Sequence, residues 1–315
     1  MTMKKPAQNC LICIVIAAGL CLASYGGGHQ TKFNYNLHLD QSLDSYEYYI
    51  GSLNPNNLFT INAAVKKFKE AFRHYPTNIT DTAFLTFWNF YLTAADYAGN
   101  RLTNNTRYRH LVGIKDYNVN PANYTSLENY LILQKRILNK NDFRLLSLLN
   151  SCGLMFDIKD GYLIINFGSE NFILNSFGNT LSSAMRDYIS ETIKEAGEKF
   201  IESDSLVLPM NKLAERTVWW ENFINKNGNF ILASECQQTY DFYLNILLKG
   251  INDSTADTYQ QPLTLKLINS YHEIIMKYSG TKTAAAISRY YILLSKNNSK
   301  KQENNENLAE NIKGQ

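Results

Sequence analysis

Along most of this chain apolar residues recur every three or four positions, the spacing that gives a helix one buried face. The first firm stretch is 60–74, where Ile61, Ala64, Val65, Phe68, Ala71, Phe72 and Tyr75 keep that spacing. Thr60 is placed to cap its start and Pro76 to stop its end. A second helix is expected over 80–98, opening at Thr80-Asp81 and running through Phe84, Phe87, Trp88 and Tyr91. Residues 99–124 hold Gly99, Asn104, Asn105, Pro121 and Asn123 and read as a long loop. Helices follow over 125–139 and 141–151, and later over 170–177, 182–201, 209–226, 230–249, 262–278 and 281–295.

The period changes once. Leu154 to Phe167 reads LMFDIKDGYLIINF, two apolar runs around Asp160-Gly161, and Asp-Gly supplies the positive φ angles of a tight hairpin turn. The expected fold is therefore mainly α: an irregular array of antiparallel helical hairpins with one β-hairpin near 154–167. That hairpin would have to lean on a helical surface, because an isolated one is marginal in water.

On the helix expected at 182–201, Ala184, Met185, Tyr188, Ile189, Ile193, Ala196 and Phe200 form an apolar stripe. Glu191, Lys194, Glu195, Glu198 and Lys199 fall on its other face. Glu191 and Glu195 are a carboxylate pair of the kind used in acid–base chemistry. With Lys194 and Glu198 beside them, a solvated helix face is the favoured reading.

The ends of the chain depart from this pattern. Lys4 and Lys5 precede an unbroken apolar run from Cys10 to Ala23, which is followed by Ser24-Tyr25-Gly26-Gly27-Gly28. A basic start, an apolar run too short to cross a bilayer comfortably and small residues after it make a secretory signal peptide. Cleavage after Ala23 or after Gly26 both fit. A lipid on Cys21 is the minority option, since Leu20 stands where a lipobox wants a small residue. The expected division is a signal peptide at 1–23, a polar linker at 24–57 with a short helix around 43–50, and an N-terminal helical region at 58–151. A β-hairpin at 152–168, a C-terminal helical region at 169–295 and a disordered tail at 296–315 complete it. The formal charge is +3, and removing Lys4 and Lys5 leaves 3 − 2 = +1. Such a chain has no general attraction for nucleic acid or anionic lipid, so its only expected membrane contact is the export signal or the lipid on Cys21.

Three segments align without gaps, starting at Phe68, Trp220 and Tyr271. Each opens on that aromatic residue and has apolar residues at +3 and +4, namely Ala71/Phe72, Phe223/Ile224 and Ile274/Ile275. A breaker follows at +8 (Pro76, Gly228, Ser279), then Phe84, Cys236 and Ile287 at +16 and Trp88, Tyr240 and Tyr291 at +20. This spacing describes two antiparallel helices around a short turn, with +3/+4 facing +16/+20. The third copy, around Lys277-Tyr278-Ser279-Gly280-Thr281-Lys282-Thr283-Ala284, resembles the turn of the tetratricopeptide-like hairpins of bacterial envelope proteins. The aligned segments make up roughly a quarter of the chain. The resemblance implies a scaffold, helix pairs stacked to present a surface to a protein or peptide, and carries over no ligand-contacting residue.

His29, His38, His74, His110 and His272 have no metal-ligand spacing, and the sequence has no GxSxG, GxxxxGK[ST] or GxGxxG pattern, so no catalytic, cofactor or metal residues are assigned. Beyond the leader only Cys152 and Cys236 remain, either bridged in an oxidising compartment or buried as two separate thiols. Trp219-Trp220 is the most conspicuous aromatic pair. Trp220 fits the core stripe through Leu213, Thr217 and Ile224, which leaves Trp219 as the partly exposed ring and the candidate partner contact. The expectation is an extracytoplasmic, periplasmic or secreted, non-enzymatic binding or scaffold protein with a protein or peptide partner. Its rival is an envelope hydrolase with dispersed catalytic residues.

Overall fold

The computed structural model describes residues 41–103, 139–159, 162–167, 170–198, 200–202, 205–250 and 265–296. The expected leader, the expected helix at 125–139 up to residue 138, the Asp160-Gly161 turn and the tail beyond 296 lie outside the described residues. What is described is mainly helical, with ten helices. The chain divides into two compact units between Ile193 and Lys194.

In the first unit α1 (Gln41–Ser52), α2 (Phe59–Phe72) and α3 (Thr77–Thr103) pack on one another. The short helix expected around 43–50 is α1, which runs from 41 to 52 and buries Tyr46 and Ile50. Its anchor is polar as well as apolar, because Tyr46 donates its hydroxyl to the Ala64 carbonyl and sets its ring edge-on to Phe68 and Phe72. On α2 the residues Ile61, Ala64, Val65, Phe68 and Phe72 are all buried, the face that the helical spacing predicts. The start lies one residue earlier than expected. The Asn57 side chain accepts the Phe59 N–H, while the Thr60 hydroxyl donates to the Asn57 carbonyl and caps nothing. Likewise α3 runs on to Thr103, through the first residues of the expected loop.

α4 (Lys140–Ser151) is capped by Asn139, which accepts from the N–H groups of Asn141 and Asp142. It leads into β1 (Leu154–Lys159), antiparallel to β2 (Tyr162–Phe167) in a register running from Leu154↔Phe167 to Lys159↔Tyr162. β2 lies against α3, with Ile165 close to Gly99. The entry into β1 is fixed by Gly153, at φ 71°, whose carbonyl accepts the Tyr91 hydroxyl at 2.9 Å.

α5 (Glu170–Phe177) then drives Phe177 into the core, where its ring meets Phe68 at 4.8 Å, Phe84 at 5.1 Å and Phe87 at 4.5 Å. Phe72 finds its ring partners in Tyr46, Phe68 and Tyr75, so the aromatic residues of α2 and α3 are joined through a ring from a third helix. α6 (Ser183–Ala196) starts at Ser182, whose hydroxyl accepts the Met185 N–H and donates to Asp81 at 2.5 Å.

The second unit begins in the last residues of α6 and continues through a short antiparallel pair, β3 (Ile201–Glu202) and β4 (Ser205–Leu206). α7 (Met210–Lys226) and α8 (Ala233–Lys249) pack against one another as a helix pair. α9 (Leu265–Lys277) and α10 (282–296) follow, joined by a turn in which Gly280 takes φ 89°. Tyr271 of α9 meets Tyr290 of α10 edge-on, and His272 meets Tyr291. Glu221 of α7 accepts hydrogen bonds from the Lys282 and Thr283 backbone and the Thr283 hydroxyl, which ties the second helix pair to the first. No helix among the described residues is long and apolar enough to cross a membrane.

Candidate functional site

The stripe predicted on α6 turns as the helix advances. Met185, Tyr188 and Ile189 are buried as expected, but so are Glu191, Thr192 and Glu195, at 6%, 8% and 4% exposure. The solvated-face reading of Glu191 and Glu195 is thereby corrected. A carboxylate this deep is retained only where donors replace its lost hydration.

Glu195 has those donors. Trp220 Nε1–H reaches its Oε1 at 2.9 Å, and the Tyr243 hydroxyl reaches its Oε2 at 2.7 Å. Beside it the buried Arg216 donates from Nη2 to the Glu195 backbone carbonyl at 3.3 Å and to Glu198 Oε2 at 2.6 Å. The Arg216 Cζ lies 5.7 Å from the Phe200 ring centroid and 5.9 Å from that of Tyr243, a cation–π arrangement. Its Nε and Nη1 have no hydrogen-bond partner among the described residues.

Burial works against the charge on Arg216, but the Glu198 hydrogen bond and the neighbouring Tyr243 and Glu195 outweigh it and raise its pKa. Burial, and after it the Glu195 carboxylate, pushes the Tyr243 phenol well above its ordinary value. Both groups thus keep their protons. The cluster fastens the end of α6, the middle of α7 and the middle of α8 to one point, and both Glu195 oxygens are already engaged. It is arranged to hold geometry rather than to exchange protons with a substrate.

One consequence reaches the surface. Because Glu195 fixes Trp220, the adjacent Trp219 is turned about a hundred degrees away on the helix. It is half-buried and lies flat on Phe223, with ring centroids 5.1 Å apart and planes 13° from parallel. The sequence assigned the two tryptophans in this way from the apolar stripe alone. What it missed was Arg216, although Arg216 lies three residues after Leu213 and four before Trp220, on the same buried face.

Cys152 and Cys236 are free and buried, and no bridge joins them. The Cys152 thiol donates to the Leu58 carbonyl and accepts from the Asn62 amide. Burial raises the pKa of both thiols, so neither is an activated nucleophile. His74 and His272 are exposed, whereas His29, His38 and His110 lie outside the described residues. No group of three or more metal-ligating side chains occurs among the described residues. Compared with protein-family models, with curated proteins and with solved structures, the chain matches none.

Proposed function

We propose that this chain is an exported, non-enzymatic binding or scaffold protein that uses helical hairpins to contact a protein or peptide partner. Its architecture is an irregular array of antiparallel helical hairpins, tetratricopeptide-like in their turns, with one β-hairpin at 154–167. It acts outside the cytoplasm, periplasmic or secreted, freed by signal cleavage or held by a lipid on Cys21, and has no nucleic-acid partner. The observation that carries this reading is the Glu221 link from α7 to the start of α10. Fastening one helix pair onto the next is how hairpin arrays build a continuous surface. The engagement of both Glu195 oxygens by Trp220 and Tyr243 supports the non-enzymatic side of the proposal.

The test places a photo-crosslinking phenylalanine analogue at Trp219 and irradiates cells making the protein. A discrete adduct with one envelope protein is the expected result. Turnover of an ester, peptide or glycoside substrate that Glu195→Gln abolishes, with no adduct, would replace this reading by a hydrolase.

A further inference from the structure

One flank of α2 carries cations and no acid. Taking about 100° per residue, Phe59, Asn62, Lys66, Lys69 and Arg73 project within an arc of about 80°. All five are exposed, Phe59 at 67%, on a flank about 130° round from the buried face through Ile61, Ala64, Val65, Phe68 and Phe72. The sole acid at the margin is Glu70, which meets Lys66 at 3.9 Å between side chains that are 57% and 80% exposed. A pair so exposed holds little of the Lys66 charge. Lys67 leaves this arc altogether, its Nζ lying 5.9 Å from the centre of the Tyr49 ring on α1.

We infer that this stripe is a docking strip for an acidic peptide segment with an apolar residue at one end, running extended across α2. This deepens, and rests on, the proposal that a helical hairpin contacts a protein or peptide. The charge on the stripe selects the acidic partner, since three cations stand on it against one weakly held acid. Its dimensions select the form. From Phe59 to Arg73 the helix rises about 21 Å at about 1.5 Å per residue, the span of about six extended residues at about 3.3 Å each. Lys66 to Arg73 covers about half of that span and takes the carboxylates, while Phe59 takes the apolar end. A lipid surface is the poorer fit, because the broad apolar face of α2 is spent on the core and Phe59 alone would enter the bilayer.

The test titrates the full chain into a fluorescein-labelled peptide of alternating Asp and Glu ending in Leu, followed by anisotropy. Binding should weaken about tenfold in the triple variant Lys66→Glu, Lys69→Glu, Arg73→Glu. It should change less than about twofold in Lys67→Glu, which reverses a charge on the same helix outside the arc. Phe59→Ala should lower affinity for the Leu-ended peptide and leave an all-acidic one unaffected. Equal losses in Lys67→Glu and Lys69→Glu, no peptide binding, or a preference for phosphatidylglycerol vesicles over the peptide would each overturn the inference. An adduct at Trp219 in the same preparation would show that the binding function survives such a failure.

Discussion

Glu221 accepts the Thr283 backbone N–H at 2.9 Å and the Thr283 hydroxyl at 2.7 Å, while its other oxygen takes the Lys282 N–H at 2.6 Å. A side chain of α7 thus caps the first turn of α10. The first N–H groups of a helix have no partner within it, and the helix dipole favours a negative charge there. Thr281 completes the cap by accepting the Ala284 N–H.

Glu221→Ala should therefore cost about 2–3 kcal/mol in urea unfolding, since it orphans the buried Thr283 N–H and hydroxyl and the part-buried Lys282 N–H in addition to losing the charge. Glu221→Gln, which keeps one acceptor oxygen, should cost about half as much. Equal costs for the two would mean that packing, and not capping, is what Glu221 supplies.

Much of the helical layout was legible because its signal is local. Ile61, Ala64, Val65, Phe68 and Phe72 lie within one helix, and their spacing alone gives the buried face. The Glu195 cluster was hidden for the opposite reason. Its partners Arg216, Trp220 and Tyr243 stand 21, 25 and 48 residues away, and a glutamate read by itself belongs outside. The clue lay in the spacing. Glu195 falls three residues after Thr192 and seven after Tyr188, on the side of α6 that is buried. α1 is legible only as a short helix at 43–50, without its ends, because Tyr46 and Ile50 are its only buried residues, too few to set a period.

Asp81 presents the same device in the first unit, accepting from the Ser182 backbone N–H at 2.9 Å and from the Ser182 hydroxyl. Burial raises its pKa above the ordinary carboxylate value, and the Ser182 hydrogen bonds and Arg186 offset this only in part. The folded form then binds the proton more tightly than the unfolded form does. The Asp81 contribution to stability should be greatest at low pH and should fall as pH rises from about 4 through the raised value. Urea midpoints of the natural protein minus those of Asp81→Asn should decline over that window. A difference that grows with pH would reverse the assignment.

Gly153 and Gly280 both take positive φ, at 71° and 89°, yet they should respond differently to alanine. A Cβ at Gly153 would come within 2.5 Å of the Phe172 ring and 2.7 Å of its Cβ, whereas one at Gly280 meets nothing within 4 Å. Gly280→Ala should cost only the backbone term, about 1 kcal/mol. Gly153→Ala adds a clash with atoms that cannot swing aside, and about 3 kcal/mol is expected. Thermal melts of the two variants side by side decide this.

Because Cys152 and Cys236 are buried and unbridged, a maleimide reagent should leave both unmodified in the native protein. Both should react on unfolding in urea without any reductant. The shortfall of thiolate at neutral pH slows reaction further while the fold persists, since burial raises both pKa values. A requirement for reductant before labelling would reveal a bridge.

The two acids that flank Arg216 should prove unequal. Arg216 is 3% exposed and the Glu198 side chain 36%, so Glu198→Ala leaves a site that water can reach. Glu195 is 4% exposed, and its oxygens hold Trp220 Nε1 and the Tyr243 hydroxyl. Removing its carboxylate leaves a buried guanidinium with one acid fewer beside it and strands two buried donors. Glu195→Ala should therefore cost about 3–5 kcal/mol, since each buried donor left without its acceptor costs about 1–3 kcal/mol. Glu198→Ala should cost about 1 kcal/mol or less. Tyr243→Phe, which deletes one donor and keeps the ring beside Arg216, should fall between them at about 1–2 kcal/mol. The fluorescence of the natural protein compared with Trp219→Phe, with and without each alanine change, supplies a second readout of Trp219. If Glu195 positions Trp220 and thereby the ring beside it, Glu195→Ala should shift the native emission and Glu198→Ala should not. Similar costs for the two alanine variants, with no change in emission, would mean that the cluster carries no positional load on α7.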